Sequence, residues 1–165
     1  MFGEDKMKSH SRHTKKLDKK RVLICLLVFF ALLPVFSYLH EAGHALVCIA
    51  DGNEAEISVD IFNGGTTLCH GDVSNLFAYK ISGGLLAGII GTTAGIALFR
   101  WKIPFIAVTT IGIGHLINAG IEAFADSYFT HGGEWSAFMG LIEVVIFLSL
   151  LITFDRRMVR RNDLL

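Results

Sequence analysis

The segment from His40 to His44, with the sequence HEAGH, holds the residues of this chain best suited to chemistry. On an α-helix, residues i and i+4 project from the same face, so His40 and His44 could bind one metal ion. Glu41 would then lie beside that ion, where its carboxylate could remove a proton from water. The pattern predicts zinc-assisted hydrolysis, with His40 and His44 as ligands of Zn²⁺ and Glu41 as the catalytic base.

An apolar run surrounds this motif, because Glu41 is the only Asp, Glu, Lys or Arg between residues 22 and 50. A run of this length can cross a bilayer as a helix. A charged residue at the centre of a spanning helix costs about 2.5 to 3.5 kcal/mol on insertion scales. The glutamate therefore indicates a function at membrane depth rather than an accident of packing.

The composition excludes an ordinary soluble domain. Of the 165 residues, 52% are hydrophobic, and the mean hydropathy is +0.53. The formal net charge is zero, but eight Lys or Arg lie between Lys6 and Arg21 and four more between Arg156 and Arg161. Basic segments beside long apolar runs are typical of the cytoplasmic ends of membrane proteins. We therefore expect a lipid bilayer, and not nucleic acid, as the partner of these segments.

Four segments are long and apolar enough to cross a bilayer at about 20 residues per span. They are residues 22–50, 76–99, 103–125 and 137–154. Placing both termini in the cytoplasm leaves Lys80 as the only basic residue on the far side, which satisfies the positive-inside rule. The sequence thus predicts an all-α membrane protein with about four transmembrane helices.

The segment after the first span has the pattern of a β-hairpin outside the membrane. Apolar and polar side chains alternate over residues 55–61, and Asn-Gly-Gly follows at residues 63–65. This hairpin could act as a cap, or it could bind an extended substrate segment by strand addition. The three cysteines, Cys25, Cys48 and Cys69, are an odd number and predict no disulfide framework.

A catalytic zinc site commonly has three protein ligands, so a third must come from elsewhere in the chain. His40 lies 19 residues beyond Arg21, about 29 Å along a helix and near the outer edge of the hydrocarbon. Asp126 ends the third span at this level, whereas His115 lies about two to three turns deeper on the same helix. Estimated depth therefore favours Asp126 over His115.

The third span carries a polar stripe, because His115, Asn118, Glu122 and Asp126 recur at helical spacing. In a lipid-soluble helix, such a stripe normally faces the protein interior. Glu122 could orient a ligand without binding the metal itself. His115 is interpreted on its own as part of a hydrogen-bonded seam between helices.

Alternatives remain for the third ligand and for the metal. His131 and Glu134, beside two glycines after the third span, are runner-up ligands with His115 because a loop could bring them back. Two histidines and one carboxylate also describe non-haem iron sites. A less favoured hypothesis is a metal or proton carrier, in which the histidines and Glu122 form a relay.

The motifs resemble the site-2 protease family of intramembrane zinc metalloproteases, whose first core helix carries HExGH. The family's third ligand is an aspartate in the pattern Asn-x-x-Pro-x-x-x-x-Asp-Gly two spans later, and Asn118 and Asp126 have the same separation of eight residues. The resemblance implies that His40, His44 and Asp126 are metal ligands and Glu41 the catalytic base. It also implies that Asn118 shapes the site or holds the substrate.

This resemblance covers roughly residues 38–128, including the hairpin and the Ser-Gly-Gly of residues 82–84. Ile121 and Ser127 replace the proline and the glycine of the family pattern. We expect a basic cytoplasmic segment at 1–21, a four-helix membrane metalloprotease-like domain at 22–154 and a basic cytoplasmic tail at 155–165. The predicted function is hydrolysis of a peptide bond in a membrane protein substrate. The alternative is a non-catalytic metal-binding or structural subunit of a larger membrane complex.

Overall fold

The computed structural model describes residues 19–60, 64–125 and 132–162, and within the last of these ranges the side chains of 138–154. These residues form four α-helices and a two-stranded antiparallel sheet. In chain order the elements are α1 (Lys19–Ala50), β1 (Glu54–Asp60), β2 (Gly64–His70), α2 (Leu76–Ala97), α3 (Lys102–Phe124) and α4 (Gly132–Asn162). The predicted mostly helical fold with one short hairpin is confirmed.

Helices α1, α2 and α3 are each long and apolar enough to cross a membrane, with mean hydropathies of 2.7, 1.3 and 1.4 over their apolar stretches. In α4, the described apolar stretch Phe138–Phe154 is shorter. Large apolar side chains of α1 lie on the surface, among them Leu27 and Phe30, which are 60% and 61% exposed. Such a surface is favourable against lipid and costly against water.

Short sequence signals set the ends of the helices. Gly52 follows α1 with a φ of 83°, a left-handed conformation that favours glycine, and its N–H donates to Ile49 O. Asn75 caps α2, because its side-chain oxygen accepts a hydrogen bond from the N–H of Ala78 at 2.9 Å. The chain therefore leaves α1 sharply and enters α2 after only the hairpin and a short connection.

Glycines bring α2 and α3 into backbone contact. A Cβ added to Gly84 would lie 2.6 Å from Ala119 N, and one added to Gly91 would lie 2.6 Å from Gly112 Cα. Small residues at this spacing let two helix backbones approach closely. These glycines of α2 therefore form a packing surface against α3.

Two apolar clusters fix the helices below the HEAGH turn. The first joins α1 to α2 and α3 and consists of Phe36, Ala87, Val108 and Ile111. The second joins α4 to the beginnings of α1 and α3 and consists of Cys25, Phe105, Ile106, Phe147 and Leu151. Since Phe36 is one helical turn before His40, the first cluster sets the position of the motif against α3.

The hairpin lies against the outer part of α1 with one face. Side chains at alternate positions of β1 and β2 are half-buried, and those between them are exposed. The three cysteines indicated no disulfide framework from sequence, but the structure joins Cys48 to Cys69 by a disulfide. Cys48 lies in the last turns of α1, and the antiparallel hairpin returns Cys69 over it. Sequence spacing could not reveal this pair because the reversal of the chain creates it.

Candidate metal centre

Three buried side chains from α1 and α3 converge on one point. His40 Nε2 lies 3.1 Å from both His44 Nε2 and Glu122 Oε1, and His44 Nε2 lies 3.7 Å from Glu122 Oε2. The three residues could hold a metal ion, because one ligand atom from each lies within 4.8 Å of the others. Two nitrogen ligands of a tetrahedral zinc ion lie about 3.3 Å apart, close to the observed separation of the two histidines.

The backbone of α2 sets the tautomer of His44. The Nδ1 atom of His44 lies 2.7 Å from the carbonyl oxygen of Tyr79. A carbonyl oxygen can only accept a hydrogen bond, so the Nδ1–H donates and a neutral His44 presents a bare lone pair at Nε2. This lone pair points at His40 and Glu122, as a metal ligand's lone pair must point at its ion.

His115 holds the opposite side of the His40 ring. The Nδ1 atoms of the two histidines are 3.2 Å apart, and the His115 ring stacks on Phe36 with their centroids at 6.1 Å. Such a contact can keep a proton on His40 Nδ1 and leave His40 Nε2 for a metal, as the partners of ligating histidines do in metal proteins. Both histidines of the motif are thus oriented through their Nδ1 atoms.

One oxygen of Glu122 has no hydrogen-bond donor among the described residues. Asn118 Nδ2 donates to Glu122 Oε1 at 3.0 Å, but Glu122 Oε2 is fully buried and accepts no hydrogen bond from any described residue. A buried carboxylate is costly unless a cation or a set of donors compensates its charge. The orphaned oxygen and the bare nitrogen of His44 are therefore the two features that a divalent cation at this point would satisfy. The residues present fit a zinc ion.

The glycine of HEAGH and the Ser-Gly-Gly of α2 explain how the helices meet at this point. A Cβ at Gly43 would collide with the carbonyl oxygen of Ser82 and lie 2.7 Å from Gly83 Cα. A Cβ at Gly83 would collide with His44 Nε2 and lie 2.8 Å from His44 Cδ2. Both glycines are therefore needed for the backbone of α2 to support the His44 ring.

Glu41 lies on the other side of α1 from this backbone contact, beneath the hairpin. Its carboxylate is buried, and the hydroxyl of Thr67 in β2 donates to Oε2 at 2.8 Å. Glu41 follows the ligand His40 directly in the chain, in the same turn of α1. The candidate metal centre thus combines ligands on α1 and α3 with a carboxylate that β2 covers.

The structure brings some of the residues predicted from the sequence together at one site. The predicted pair His40 and His44 converges. Glu122, predicted to orient a ligand, belongs to the group that could hold a metal ion. The Nδ1 atoms of His115 and His40 are 3.2 Å apart, although the sequence placed His115 about two to three turns deeper than Asp126. The choice of Asp126 over His115 as a ligand stays a prediction.

The positions of three other predicted side chains are not described. Asp126 and His131 lie outside the described residues, and Glu134 lies in a part of α4 whose side chains are not described. Sequence reasoning missed Tyr79 and Thr67. No sequence signal could have found the Tyr79 contact, because a backbone carbonyl makes it, whereas Thr67 stands on the half-buried face of the predicted hairpin.

Comparisons with protein-family models, with curated proteins and with solved structures gave no match to this chain. In the part of the chain that the structure describes, the fold is mostly helical, three helices are able to cross a membrane, and a buried His40–His44–Glu122 group could hold a metal ion.

Proposed function

We propose that this chain is an intramembrane zinc metalloprotease of the site-2 protease kind, which hydrolyses a peptide bond of a membrane protein substrate. The observation that carries the proposal is the convergence of the two Nε2 atoms of the HEAGH histidines with a buried, partly unsatisfied carboxylate. The motif's own glutamate lies in the same helical turn. This combination would supply metal ligands and a proton acceptor at one site within the membrane.

The proposed protein crosses the bilayer four times, with both termini in the cytoplasm. The first turn of α1 contains Lys19, Lys20 and Arg21, and Lys102 begins α3. Basic residues at these two helix ends support a common cytoplasmic side, because Lys and Arg are enriched there. The HEAGH turn and the hairpin then lie toward the outer side, where we place the reaction.

Three side chains would hold the zinc ion: His40 and His44 through Nε2, and Glu122 through its carboxylate. When bound, zinc supplies a Lewis acid that polarises the scissile carbonyl and acidifies water. The Tyr79 carbonyl and His115 keep the two imidazole rings oriented. Asp126, which the resemblance implies as a ligand, remains a second candidate for the carboxylate position.

Glu41 performs the proton transfers in this proposal. Its carboxylate accepts a proton from the water that attacks the scissile carbonyl carbon. The same proton then passes to the leaving nitrogen as the carbon–nitrogen bond breaks, which yields one new carboxylic acid and one new amine. A general base of this kind contributes about 10²- to 10⁴-fold to the rate.

The hairpin supports binding of an extended substrate. A peptide bond in a membrane helix has its carbonyl engaged in the helix ladder, so the substrate must unwind before hydrolysis. Strand addition to a sheet edge would satisfy the backbone of the unwound segment. β2 contacts Glu41 directly, so we propose the edge of β2 that is not paired with β1 as the place for this segment.

Metal analysis of the purified chain tests the proposal first. Native protein should retain about one zinc ion per chain, and His44→Ala and Glu122→Gln should each lose most of it. Even the loss of a residue that only orients a ligand typically costs about 10- to 100-fold in metal affinity. Asp126→Ala measured beside Glu122→Gln identifies the carboxylate ligand. A native chain without a bound divalent metal would contradict the proposal.

Cleavage tests the chemistry. The assay uses liposomes containing the native chain and a panel of single-span proteins with helix-breaking residues near the outer end of the span. Cleavage should require zinc, stop with a chelator and return when zinc is restored. Zinc binding without cleavage of any test protein would favour the alternative, a non-catalytic metal-binding or structural subunit. The burial of Glu41 beneath β2 is the observation that favours this alternative.

A further inference from the structure

We propose that Thr67 is a positioning residue for Glu41, and that β2 holds the Glu41 carboxylate in its reactive orientation. This inference rests on the proposed function and adds to it a residue outside the metal-binding motif. It gives the hairpin a role in the reaction itself, beyond covering the site or binding substrate.

Thr67 makes two contacts with the same residue. Its hydroxyl oxygen lies 2.8 Å from Glu41 Oε2 and 2.9 Å from the Glu41 carbonyl oxygen. A glutamate side chain has three rotatable torsions, and a buried donor at its tip selects one arrangement of them. Thr67 engages Oε2, and no described residue donates a hydrogen bond to Oε1. Oε1 is therefore the oxygen left for the proton of the attacking water.

Gly65 provides the space in which the carboxylate lies. A Cβ at this position would collide with Glu41 Cγ and would lie 2.8 Å from Oε1 and 2.9 Å from Cδ. Gly65 and Thr67 are two residues apart in β2, so both face α1. β2 thus leaves space at Gly65 for the Glu41 side chain and provides at Thr67 a hydrogen-bond donor to its carboxylate.

The strand is attached to the helices independently of this hydroxyl. Cys69, two residues after Thr67 on the same face, forms the disulfide with Cys48 of α1. The Tyr79 hydroxyl on α2 donates to the Thr67 carbonyl oxygen at 3.4 Å. Removing the hydroxyl of Thr67 should therefore leave β2 in place, which makes its contribution measurable on its own.

The test compares three variants of the full chain, reconstituted with zinc and with a test protein that the native chain cleaves. Thr67→Val removes the hydroxyl and keeps the branched shape, whereas Thr67→Ser keeps the hydroxyl. Thr66→Val is the matched control, because Thr66 is the neighbouring threonine on the exposed face of β2. We expect kcat of Thr67→Val to fall about 10- to 100-fold, the range for a misplaced catalytic group, with KM, zinc content and the disulfide unchanged.

Thr67→Ser and Thr66→Val should stay close to native kcat. Native kcat in Thr67→Val would overturn the inference, as would a loss in Thr67→Ser equal to that in Thr67→Val, since both would remove any role for the hydroxyl. A loss of zinc or of the disulfide in Thr67→Val would also overturn it, in favour of a structural role.

A second measurement separates this inference from the proposed function. Infrared difference spectra between the native chain and Glu41→Gln isolate the carboxylate band of Glu41. The band should shift in Thr67→Val and stay in place in Thr66→Val, and an unshifted band in Thr67→Val would overturn the inference without reference to cleavage. A native chain with no Glu41-dependent cleavage would instead overturn the proposed function, and the catalytic role of Thr67 with it.

Discussion

The candidate metal centre and the hairpin lie against the same part of α1, but different interactions hold them. The metal centre is built from side chains on packed helices, with glycines that allow α2 and α3 to approach it. The hairpin is attached through the Cys48–Cys69 disulfide and through hydrogen bonds at its ends, such as those from Ser74 to Asp51. The metal ligands therefore depend on the helical core, whereas the cover over Glu41 depends on a few separate attachments.

Because different interactions hold the two regions, metal binding and the function of Glu41 should be separable by mutation. Changes in the helical core should affect metal binding, and changes in the hairpin should affect the carboxylate that it covers. Variants in the hairpin should therefore change the cleavage rate without changing the zinc content.

Glu41→Gln should reduce cleavage about 10²- to 10⁴-fold and leave zinc bound, because the amide keeps the shape of the side chain but cannot accept a proton. Cleavage in the liposome assay and zinc content in the same preparation measure the two effects. A simultaneous loss of zinc would contradict the separation of metal binding from catalysis, because Glu41 would then contribute to metal binding and not only to proton transfer.

Gly83→Ala should release the metal and destabilise the chain by about 1 to 3 kcal/mol, because the new methyl group would overpack the contact with the His44 ring. Zinc content and thermal unfolding in detergent report the two effects. Gly120→Ala in α3 is the matched control, since a Cβ there has open space. Normal zinc binding by Gly83→Ala would mean that the α2 backbone does not support His44.

Replacing Cys69 with serine should loosen the hairpin and leave the metal in place. Loss of a disulfide that closes a loop with a sequence separation of 21 costs about 3 kcal/mol in the chain-entropy model. Hydrogen exchange should rise in β1 and β2 but not in α2 or α3. Thr66→Ser is the control because Thr66 lies on the exposed face of β2 and the change leaves the disulfide in place. Zinc loss in Cys69→Ser but not in Thr66→Ser would show that the two regions are coupled.

Acid should weaken the attachment between α1 and the start of α2. The Ser74 hydroxyl and backbone N–H donate to the Asp51 carboxylate and hold the pKa of Asp51 below its ordinary value of 3.8. A lowered pKa in the folded state means that this stabilisation is present above pH 3.8 and is lost as the pH falls through the lower folded value. The protection of backbone N–H groups near Ser74 against hydrogen exchange, measured relative to their intrinsic exchange rate at each pH, should therefore fall at low pH.

Asp51→Asn is the comparison for this last effect, because its side chain does not titrate. The protection of backbone N–H groups near Ser74 against exchange should depend less on pH in Asp51→Asn than in the native chain. Equal pH dependence in both would assign the effect to another group.

The helices, the hairpin and the histidine pair of the candidate metal centre follow from local patterns in the sequence. Long apolar runs, an alternating segment before Asn-Gly-Gly and the i, i+4 spacing of His40 and His44 are local signals, because each depends only on the period of one element. The stripe on the third span likewise identified the helix face that carries Glu122. These features could be predicted because neighbours in the chain fix them.

The packing of the helices and the hairpin determines which polar residues of α3 contact the two histidines and which residue contacts Glu41. The arithmetic of helix depth assumes straight, parallel helices, so it could not find that His115 and Glu122 both reach His40. The Tyr79 carbonyl has no side-chain signature, and the contacts of Cys69 and Thr67 with α1 arise when the hairpin folds back. Contacts of this kind depend on how separate elements pack, which the period of a single element does not encode.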